Sequence, residues 1–312
     1  MRGASLAGRD LISLLDYTTE ELERLLELAA EVKANPDHYA KRLTGRTLFM
    51  YFEKPSLRTR VTFEAGMTQL GGHAIYYTAA EGKIGVRESV EDVARNLERW
   101  VDAAMCRTFS HELLLELARF AEIPVINGLT DHLHPCQALA DYMTLREIGG
   151  DSLAGRRLAY VGDGNNVAHS LMNGGARLGV SVTVITPPGY EPDAGVVETA
   201  RAAAQQSGAT IEITHDIEAV RGANAVYTDV WASMGQEDEA AERKRVFAPY
   251  QIHRGVMDLA GPETAFMHCL PAHRGEEVTS EVADMPRSVI FEQAENRLHA
   301  QKAVLLALLG GV

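Results

Sequence analysis

Cysteine is scarce in this sequence. The 312 residues include only Cys106, Cys136 and Cys269. A sparse and odd number of cysteines argues against a disulfide framework and indicates a reducing compartment. The sequence has no C-x-x-C pair, a spacing that is typical of zinc sites. We therefore expect neither a disulfide nor a bound metal.

Long apolar runs and long basic runs are also missing. No stretch is apolar over the length that a transmembrane helix requires, and residues 1–10 lack the apolar segment of a signal peptide. These absences predict a cytoplasmic protein. The formal net charge is −13 at pH 7 and Lys and Arg are not clustered, which argues against a nucleic-acid partner. Any anion site in so acidic a chain must gather its cations in a small pocket.

The sequence does contain short apolar runs that alternate with helical patterns. The runs predict strands at Thr47–Phe52, Ala74–Tyr77, Asp102–Cys106, Pro124–Asn127, Arg157–Val161, Ser181–Ile185, Thr210–Thr214, Ala225–Thr228, Ala265–His268 and Ser288–Glu292. The first helix should begin at a T-x-x-E capping box, Thr18 and Glu21, and the last should span Ala294–Leu309. Strands that alternate with helices predict parallel sheets covered on both faces. The two series, joined by G-G-D-S at 149–152, predict an α/β protein of two doubly wound parallel-sheet domains.

The first candidate site lies where a predicted strand ends and a helix begins, in F-E-K-P-S-L-R-T-R at 52–60. Open parallel sheets bind ligands beyond the carboxyl ends of their strands. The first amides of a helix and its dipole attract anions, and Ser56, Arg58 and Thr59 would add hydroxyls and a guanidinium. The segment therefore predicts a phosphate cradle. An ordinary capped helix with surface arginines is the alternative.

Two further candidates belong to the first series. Arg107 directly follows a predicted strand, at the edge where ligands bind, although it could equally be a surface arginine that starts a loop. His134 and Gln137 lie in H-L-H-P-C-Q. An imidazole beside an amide could polarise a carbonyl oxygen, and a structural histidine is the alternative.

The second series offers a poor nucleotide motif and better candidates for holding an amine. G-D-G-N-N at 162–166 lacks a third glycine, and no acidic residue follows the next strand, which disfavours a dinucleotide. Asp229 directly follows a predicted strand and could hold an ammonium group. Ser233 and Met234 could extend that contact, whereas a packed polar loop is the alternative.

Two more residues stand near the C-terminus. Cys269, in H-C-L-P-A-H-R-G, ends a predicted strand and is either a nucleophile or a small core residue. Arg297 opens the last predicted helix and could be an ordinary helical arginine.

These motifs resemble one family when they are taken together. They stand in the order F-E-K-P-S-L-R-T-R, C-R-T, H-P-C-Q, D-G-N-N, D-V-W-A-S-M-G-Q-E, H-C-L-P-A-H-R-G and E-N-R-L-H-A-Q-K. The series resembles the ornithine carbamoyltransferases, of the aspartate/ornithine carbamoyltransferase superfamily, over essentially the whole chain. The resemblance implies a carbamoyl-phosphate domain at 1–148, an ornithine domain at 149–292 and a C-terminal helix, 293–312, that packs back on the first domain. It also implies a homotrimer or an assembly of trimers, with sites near subunit interfaces and no cofactor.

The resemblance further implies a reaction and the residues that carry it. Family members transfer the carbamoyl group of carbamoyl phosphate to the δ-amine of L-ornithine, giving L-citrulline and phosphate in arginine metabolism. The implied carbamoyl-phosphate ligands are Ser56, Leu57, Arg58, Thr59, Arg107, His134, Gln137, Cys269, Leu270 and Arg297. The implied ornithine ligands are Asn166, Asp229, Ser233 and Met234. The implied catalytic residues are Cys269, Arg107, His134 and Asp229.

The sequence departs from the family pattern at a few positions. Lys83 stands where the family often has a Gln or His that reaches into a neighbouring subunit's site. A lysine could still meet a phosphate there, as a point charge. Val93 and Asn96 replace the Thr and Val that are common in the family, which concerns helix packing more than chemistry.

Other functions stay open at this point. Aspartate, putrescine or N-acetylornithine could be the acceptor, although Asp229 fits a free α-amine and the acidic residues at 237–238 disfavour aspartate. A non-catalytic homologue and a nicotinamide-dependent dehydrogenase are the alternatives from other classes. A citrulline assay and a cofactor titration would separate them.

Overall fold

The computed structural model describes residues 5–150, 152–233, 235 and 237–312. The chain divides into two compact units, Met1–Met143 with Glu295–Val312, and Thr144–Ala294. Among the described residues, no helix is both long and apolar enough to cross a bilayer.

The first unit is built on a four-stranded parallel sheet. Its strands are β1 Thr47–Phe52, β2 His73–Thr78, β3 Ala103–Arg107 and β4 Val125–Leu129. They are arranged in the order β2-β1-β3-β4, with every pair parallel. The helices that begin in this unit are α1 Thr19–Ala34, α2 Pro36–Tyr39, α3 Leu57–Gln69, α4 Val90–Trp100, α5 His111–Phe120 and α6 Pro135–Gly149.

Helix α1 begins where the capping pattern predicts. Thr18 Oγ1 accepts a hydrogen bond from the Glu21 amide at 3.2 Å, and Glu21 Oε2 accepts one from the Thr18 amide at 2.9 Å. Such a reciprocal cap satisfies two helix-end amides and is worth about 1 kcal/mol. The helix then buries one apolar face, which includes Leu22, Leu25 and Ala29.

The second unit contains a five-stranded parallel sheet. Its strands are β5 Arg157–Val161, β6 Ser181–Ile185, β7 Ile211–Thr214, β8 Ala225–Thr228 and β9 Ala265–His268. They are arranged in the order β7-β6-β5-β8-β9. The later helices are α7 Asn166–Leu178, α8 Ala194–Ser207, α9 Ala240–Phe247, α10 Arg254–Ala260, α11 Ser280–Ala283 and α12 Ile290–Leu308. Helix α12 starts in this unit, and its residues from Glu295 onward belong to the first unit.

Each sheet buries apolar side chains against its helices. In the first unit, Tyr51, Ala104 and Val125 pack with Leu97 and Leu117. The second unit has its own cluster of the same kind, centred on β5, β8 and β9. The predicted fold class, two α/β domains with parallel sheets, is therefore confirmed. All strands run toward one edge in each sheet, and that edge is where the polar residues discussed below lie.

One predicted strand is wrong. The segment Ser288–Glu292 makes only an isolated bridge, between Ser288 and Phe266, and α12 already begins at Ile290. The run S-V-I-F-E is apolar enough to suggest a strand, but a short apolar run has no periodicity that distinguishes a strand from a buried helical turn.

Candidate functional site

The phosphate cradle predicted in the first unit is formed by the start of α3. Ser56 is the N-cap, and its Oγ accepts a hydrogen bond from the Thr59 amide at 3.2 Å. The side chain of Thr59 is buried and that of Leu57 is exposed, so any contact of Leu57 with an anion must use its backbone amide. Arg58, on the same turn, is half-buried. The cap leaves amides and the positive end of the helix dipole available to an anion.

Arg297 joins this turn to a distant part of the chain. Its Nη2 donates to Thr59 Oγ1 at 3.1 Å and its Nη1 donates to Gln137 Oε1 at 2.5 Å. Gln137 Nε2 in turn donates to Asp141 Oδ1 at 2.7 Å. With its amide oxygen turned toward the guanidinium, Gln301 accepts from Arg297 Nη2 and Nε at 2.9 and 3.2 Å. Arg297 as a whole is 2% exposed, so its guanidinium is a buried cation in a fixed orientation.

Arg107 and His134 complete the buried polar group of the first unit. Arg107 is the last residue of β3 and His134 precedes α6, and both are buried. Burial lowers the pKa of His134 well below its ordinary 6.5, and the charges of Arg297, Arg107 and Arg58 lower it further. Three guanidinium groups therefore act on one imidazole, which is neutral at pH 7.

Lys83 has a partner in its own chain. Its Nζ lies 3.8 Å from Glu53 Oε1, and the Lys83 side chain is largely exposed while Glu53 is buried. Glu53 also accepts a hydrogen bond from the Phe109 amide at 2.9 Å. Its neighbour Lys54 is buried, pairs with Asp131 and lies over the Phe109 ring. These contacts hold the segment that leads into the cradle.

In the second unit, Asp229 follows β8 and is buried. Its Oδ1 accepts a hydrogen bond from the Cys269 thiol at 2.9 Å and one from the Val230 amide at 2.8 Å. Its Oδ2 accepts from Asn165 Nδ2 at 2.9 Å. The carboxylate is thus held by three donors from the loops after β5, β8 and β9.

Asn165 is a site residue that the sequence reasoning missed. It is the N-cap of α7, and its Oδ1 accepts from the Val167 and Ala168 amides. The predicted ligand Asn166 is the first residue of that helix. An asparagine at a helix start is a recognisable N-cap signal, but its second bond, to Asp229, depends on the sheet order. Ser233 is half-buried, and the predicted ligand Met234 lies outside the described residues.

The loop after β9 is held by a buried His–Glu pair. His268 Nδ1 accepts from the Leu270 amide at 2.8 Å, so Nε2 carries the proton and donates to Glu277 Oε1 at 3.1 Å. Glu277 Oε1 also accepts from the His273 amide at 2.5 Å. Leu270, at φ 61°, occupies the left-handed region that non-glycine residues rarely adopt. The imidazole and carboxylate stabilise this conformation and so place Cys269.

The cysteines and acids near this loop are of metal-ligating types. Asp229, His268 and Cys269 offer ligand atoms within 4.8 Å of one another. Both ring nitrogens of His268 are already used in hydrogen bonds, which leaves two ligands, fewer than a protein zinc site uses. The donor set therefore does not fit zinc. Cys136 is buried in the first unit, and burial raises the pKa of its thiol to about 12, as expected of a core cysteine.

Comparison with known families identifies two matching models. The model described as "Aspartate/ornithine carbamoyltransferase, carbamoyl-P binding domain" matches residues 9–147. The model described as "Aspartate/ornithine carbamoyltransferase, Asp/Orn binding domain" matches residues 154–308.

Individual relatives are similar to this sequence over nearly its whole length. The sequence is 53% identical over 313 residues to the anabolic ornithine carbamoyltransferase of Pyrococcus furiosus, covering 99% of this chain and 98% of that protein. It is 56% identical over 308 residues to the ornithine carbamoyltransferase of Anoxybacillus flavithermus, covering 97% and 98%. Among solved structures, the Pyrococcus furiosus ornithine carbamoyltransferase has a TM-score of 0.95 at 54% identity and covers 99% of both chains. The anabolic enzyme of Campylobacter jejuni has a TM-score of 0.89 at 37% identity, covering 95% and 97%.

Proposed function

The chain belongs to the aspartate/ornithine carbamoyltransferase family, and from that premise we propose the reaction of its two units and the residues that carry it. The protein is a transferase. It moves the carbamoyl group of carbamoyl phosphate to the δ-amine of L-ornithine, giving L-citrulline and phosphate. Relatives whose names include "anabolic" favour a role in arginine biosynthesis.

One observation carries the assignment of the carbamoyl-phosphate residues. Thr59, Gln137 and Arg297 are far apart in sequence and are joined by hydrogen bonds. Arg58, Arg107 and Arg297 all act on the pKa of His134. Arg107 and Arg297 are buried and Arg58 is half-buried, so positive charge is concentrated near the start of α3. A phosphate ester is the anion that we propose for this position, because helix amides and guanidinium groups both favour phosphate.

The carbonyl oxygen of carbamoyl phosphate gains negative charge when the amine attacks. His134, neutral at pH 7 because its pKa is lowered, retains one N–H with which to donate to that oxygen. Thr59 Oγ1 accepts from Arg297, so its hydroxyl hydrogen can also be donated. Arg107 adds a charged donor. Each preorganised donor of this kind is worth about 3–4 kcal/mol in the transition state.

The leaving phosphate needs positive charge and oriented donors. Arg58, Arg107 and Arg297 supply the charge, and the α3 amides of Leu57 and Arg58, with the Ser56 hydroxyl, supply the donors. The hydrogen bonds of Arg297 to Gln137 and Thr59 fix the plane of its guanidinium before substrate arrives. Preorganisation of this kind lowers the cost of reorganisation during the reaction.

The ornithine residues belong to the second unit. Asp229 is proposed to hold ammonium, and Asn166, Ser233 and Met234 to contact the amino-acid end. The δ-amine is mostly protonated in free ornithine, because its pKa is lysine-like, so the site must bind or generate the neutral amine. Cys269 and Asp229, already hydrogen-bonded to each other, are proposed to orient that amine and assist its deprotonation. Cys269 and Leu270 are also proposed as carbamoyl-phosphate ligands.

The proposal extends to domains, assembly and compartment. We propose the carbamoyl-phosphate domain as residues 1–148 with the C-terminal helix 293–312, and the ornithine domain as 149–292. We further propose a cytoplasmic homotrimer with sites near subunit interfaces. Lys83 is the candidate for a contribution to a neighbouring site, and its exposed side chain supports that assignment.

An acceptor panel tests the proposed function. The purified protein is incubated with carbamoyl phosphate and L-ornithine, putrescine, N-acetylornithine or L-aspartate, and each carbamoylated product and phosphate are measured. We expect citrulline from ornithine and rates at least about a hundredfold lower with the other amines, because each lacks a group that the site recognises. Equal turnover of putrescine and ornithine would contradict the assignment of the amino-acid-binding residues.

A further inference from the structure

Arg243, on helix α9, is buried although the reaction described above does not use it. Its Nη1 lies 3.1 Å from Asp163 Oδ2 and donates to the Trp231 carbonyl at 3.0 Å. Its Nε donates to Glu239 Oε2 at 2.9 Å. The guanidinium also lies over the Tyr190 ring, 5.1 Å from the ring centroid.

The partners of Arg243 come from three loops at one edge of the sheet. Asp163 follows β5, Tyr190 follows β6 and Trp231 follows β8. These strands are neighbours in the order β6-β5-β8, and all are parallel. Ligands of open parallel sheets bind beyond that edge. One guanidinium therefore contacts three consecutive loops at the position where the proposed ornithine residues lie.

The loops after β5 and β8 are also joined by a second contact. Asn165, two residues after Asp163, donates to Asp229, two residues before Trp231. The Arg243 contacts and the Asn165–Asp229 bond thus join the loop after β5 to the loop after β8 twice. The proposed ligands lie close in sequence to these points of attachment: Asn166 is the first residue of α7, and Ser233 lies on the loop after β8.

Burial makes the loss of either partner of the Asp163–Arg243 ion pair more costly than in a surface ion pair. Both side chains are largely buried, whereas that of Glu239 is mostly exposed. Burial raises the pKa of Asp163 to about 6 even though Arg243 lowers it. The pKa of Arg243 is raised by the same carboxylate. Removal of the guanidinium would leave a buried carboxyl without its cation, so the two residues depend on each other.

We propose that Arg243 is a positioning residue for ornithine, which holds the loops after β5 and β8 at the separation that the amino-acid substrate requires. This inference rests on the proposed function, because it assigns Asn166, Asp229 and Ser233 to ornithine. Arg243 does not touch the substrate. It acts through Asp163 and the Trp231 carbonyl, and its effect falls on ornithine rather than on carbamoyl phosphate.

Steady-state kinetics on the full-length protein test the proposal. The variants are Arg243→Met, Arg243→Lys and the control Arg245→Met, which alters an exposed arginine on the same helix. We expect Arg243→Met to raise the KM for ornithine about tenfold or more and to change the KM for carbamoyl phosphate by less than about twofold. Arg243→Lys should be intermediate, because lysine keeps the charge but not the planar fork. Arg245→Met should match the parent protein.

The double variant Arg243→Met/Asp163→Asn separates positioning from stability. It removes the carboxyl that Arg243→Met leaves without a cation, so its thermal midpoint should exceed that of Arg243→Met. If Arg243 only stabilises the unit, the ornithine KM should recover together with the midpoint, and the proposal is overturned. If Arg243 positions the loops, the ornithine KM stays raised. An equal rise in both KM values in folded Arg243→Lys would also overturn it.

The experiment distinguishes failure of the proposed function from failure of the positioning role of Arg243. A parent protein that forms no citrulline from ornithine contradicts the function itself. A parent protein that forms citrulline, with Arg243 variants whose ornithine KM is unchanged, contradicts only the positioning role.

Discussion

The thiol of Cys269 donates a hydrogen bond to the carboxylate of Asp229, with Sγ and Oδ1 2.9 Å apart. The two residues follow neighbouring strands, β9 and β8. The other carboxylate oxygen is bound by Asn165. The Asp229 carboxylate is therefore oriented by its own chain, and the ammonium group that is proposed to bind it would meet a carboxylate whose position is already fixed.

Asp229→Asn should weaken ornithine binding selectively. The amide has nearly the shape of the carboxylate but lacks its charge, and its NH2 group would face a donor, either Asn165 or the Cys269 thiol. We expect the KM for ornithine to rise about thirtyfold or more, since a charged hydrogen bond is worth about 2 kcal/mol or more. The KM for carbamoyl phosphate should change by less than about threefold. A matched loss for both substrates would argue against an ornithine-specific role.

Arg297→Met should weaken carbamoyl-phosphate binding. The change removes a buried cation and leaves Gln137 and Thr59 without the donor that orders them. We expect the KM for carbamoyl phosphate to rise about thirtyfold or more, with Arg297→Lys in between. Arg95→Met, at an exposed arginine paired within its own helix, serves as the control. Normal carbamoyl-phosphate affinity in Arg297→Met would contradict the phosphate assignment.

His134 should contribute to loss of stability in acid. Its pKa is lowered in the folded protein by burial and by Arg297, Arg107 and Arg58, so below pH 6.5 the unfolded chain binds more protons than the folded one. The free energy of unfolding therefore falls as the pH drops below 6.5. Urea titrations at pH 7.5 and 5.5 should show a smaller loss for His134→Gln than for the parent protein. His73→Gln, at an exposed histidine, should leave the loss unchanged.

Asp163 should have the opposite effect to His134 on how the free energy of unfolding depends on pH. Burial raises its pKa from 3.8 to about 6, so between these values the folded protein binds more protons than the unfolded chain. Its contribution to stability is present below pH 3.8 and is lost as the pH rises through about 6. The change corresponds to about 3 kcal/mol. Asp163→Asn should remove it, which would appear as a relative gain in urea midpoint between pH 4.5 and 7.

Parallel pH profiles for Asp163→Asn and the parent protein would show that the carboxyl does not titrate in this range. The comparison uses the change in urea midpoint between the two pH values within each protein. An effect of the substitution on stability that is the same at both pH values therefore cancels.

Glu277→Leu should damage the loop that carries Cys269. The variant removes the acceptor for both His268 Nε2 and the His273 amide, and unsatisfied buried donors cost about 2–4 kcal/mol in total. We expect reduced stability and a lower kcat. Glu277→Gln should be milder, because an amide oxygen in the place of Oε1 can accept both bonds. Glu276→Leu alters the adjacent, partly exposed carboxylate and should change stability by about 0.5 kcal/mol or less; equal effects of the two leucine variants would contradict this role of Glu277.

Much of the fold follows from local patterns in the sequence. The strand at Thr47–Phe52 is predicted with the same bounds that the structure has, because an apolar run bounded by polar turns is typical of a buried parallel strand. The error at Ser288–Glu292 has the same origin: the run has strand-like residues, but Gln293, whose Oε1 accepts from the His268 amide, already lies in α12. Helix α10 was not predicted, since a seven-residue helix carries too little periodicity.

Candidate site residues can be proposed from the sequence where they directly follow a strand or cap a helix, as Asp229 and Ser56 do. The residues that orient them were not. Asn165, Glu277 and Arg243 act through bonds to residues that the sheet order brings near. No local pattern encodes which loops become neighbours, so a sequence alone indicates ligands more readily than the groups that hold them.

The hydrogen bonds from Arg297 to Thr59 and Gln137 also have a consequence for protein synthesis. Thr59 and Gln137 leave the ribosome long before the arginine that orders them, which lies 238 residues after Thr59. A nascent chain can form its first sheet early, but it lacks one of the three arginines of the proposed anion site, and the donor that orders Thr59 and Gln137, until translation is nearly complete. Products truncated before residue 297 should therefore gain much less protection from proteolysis than full-length chains when carbamoyl phosphate is added.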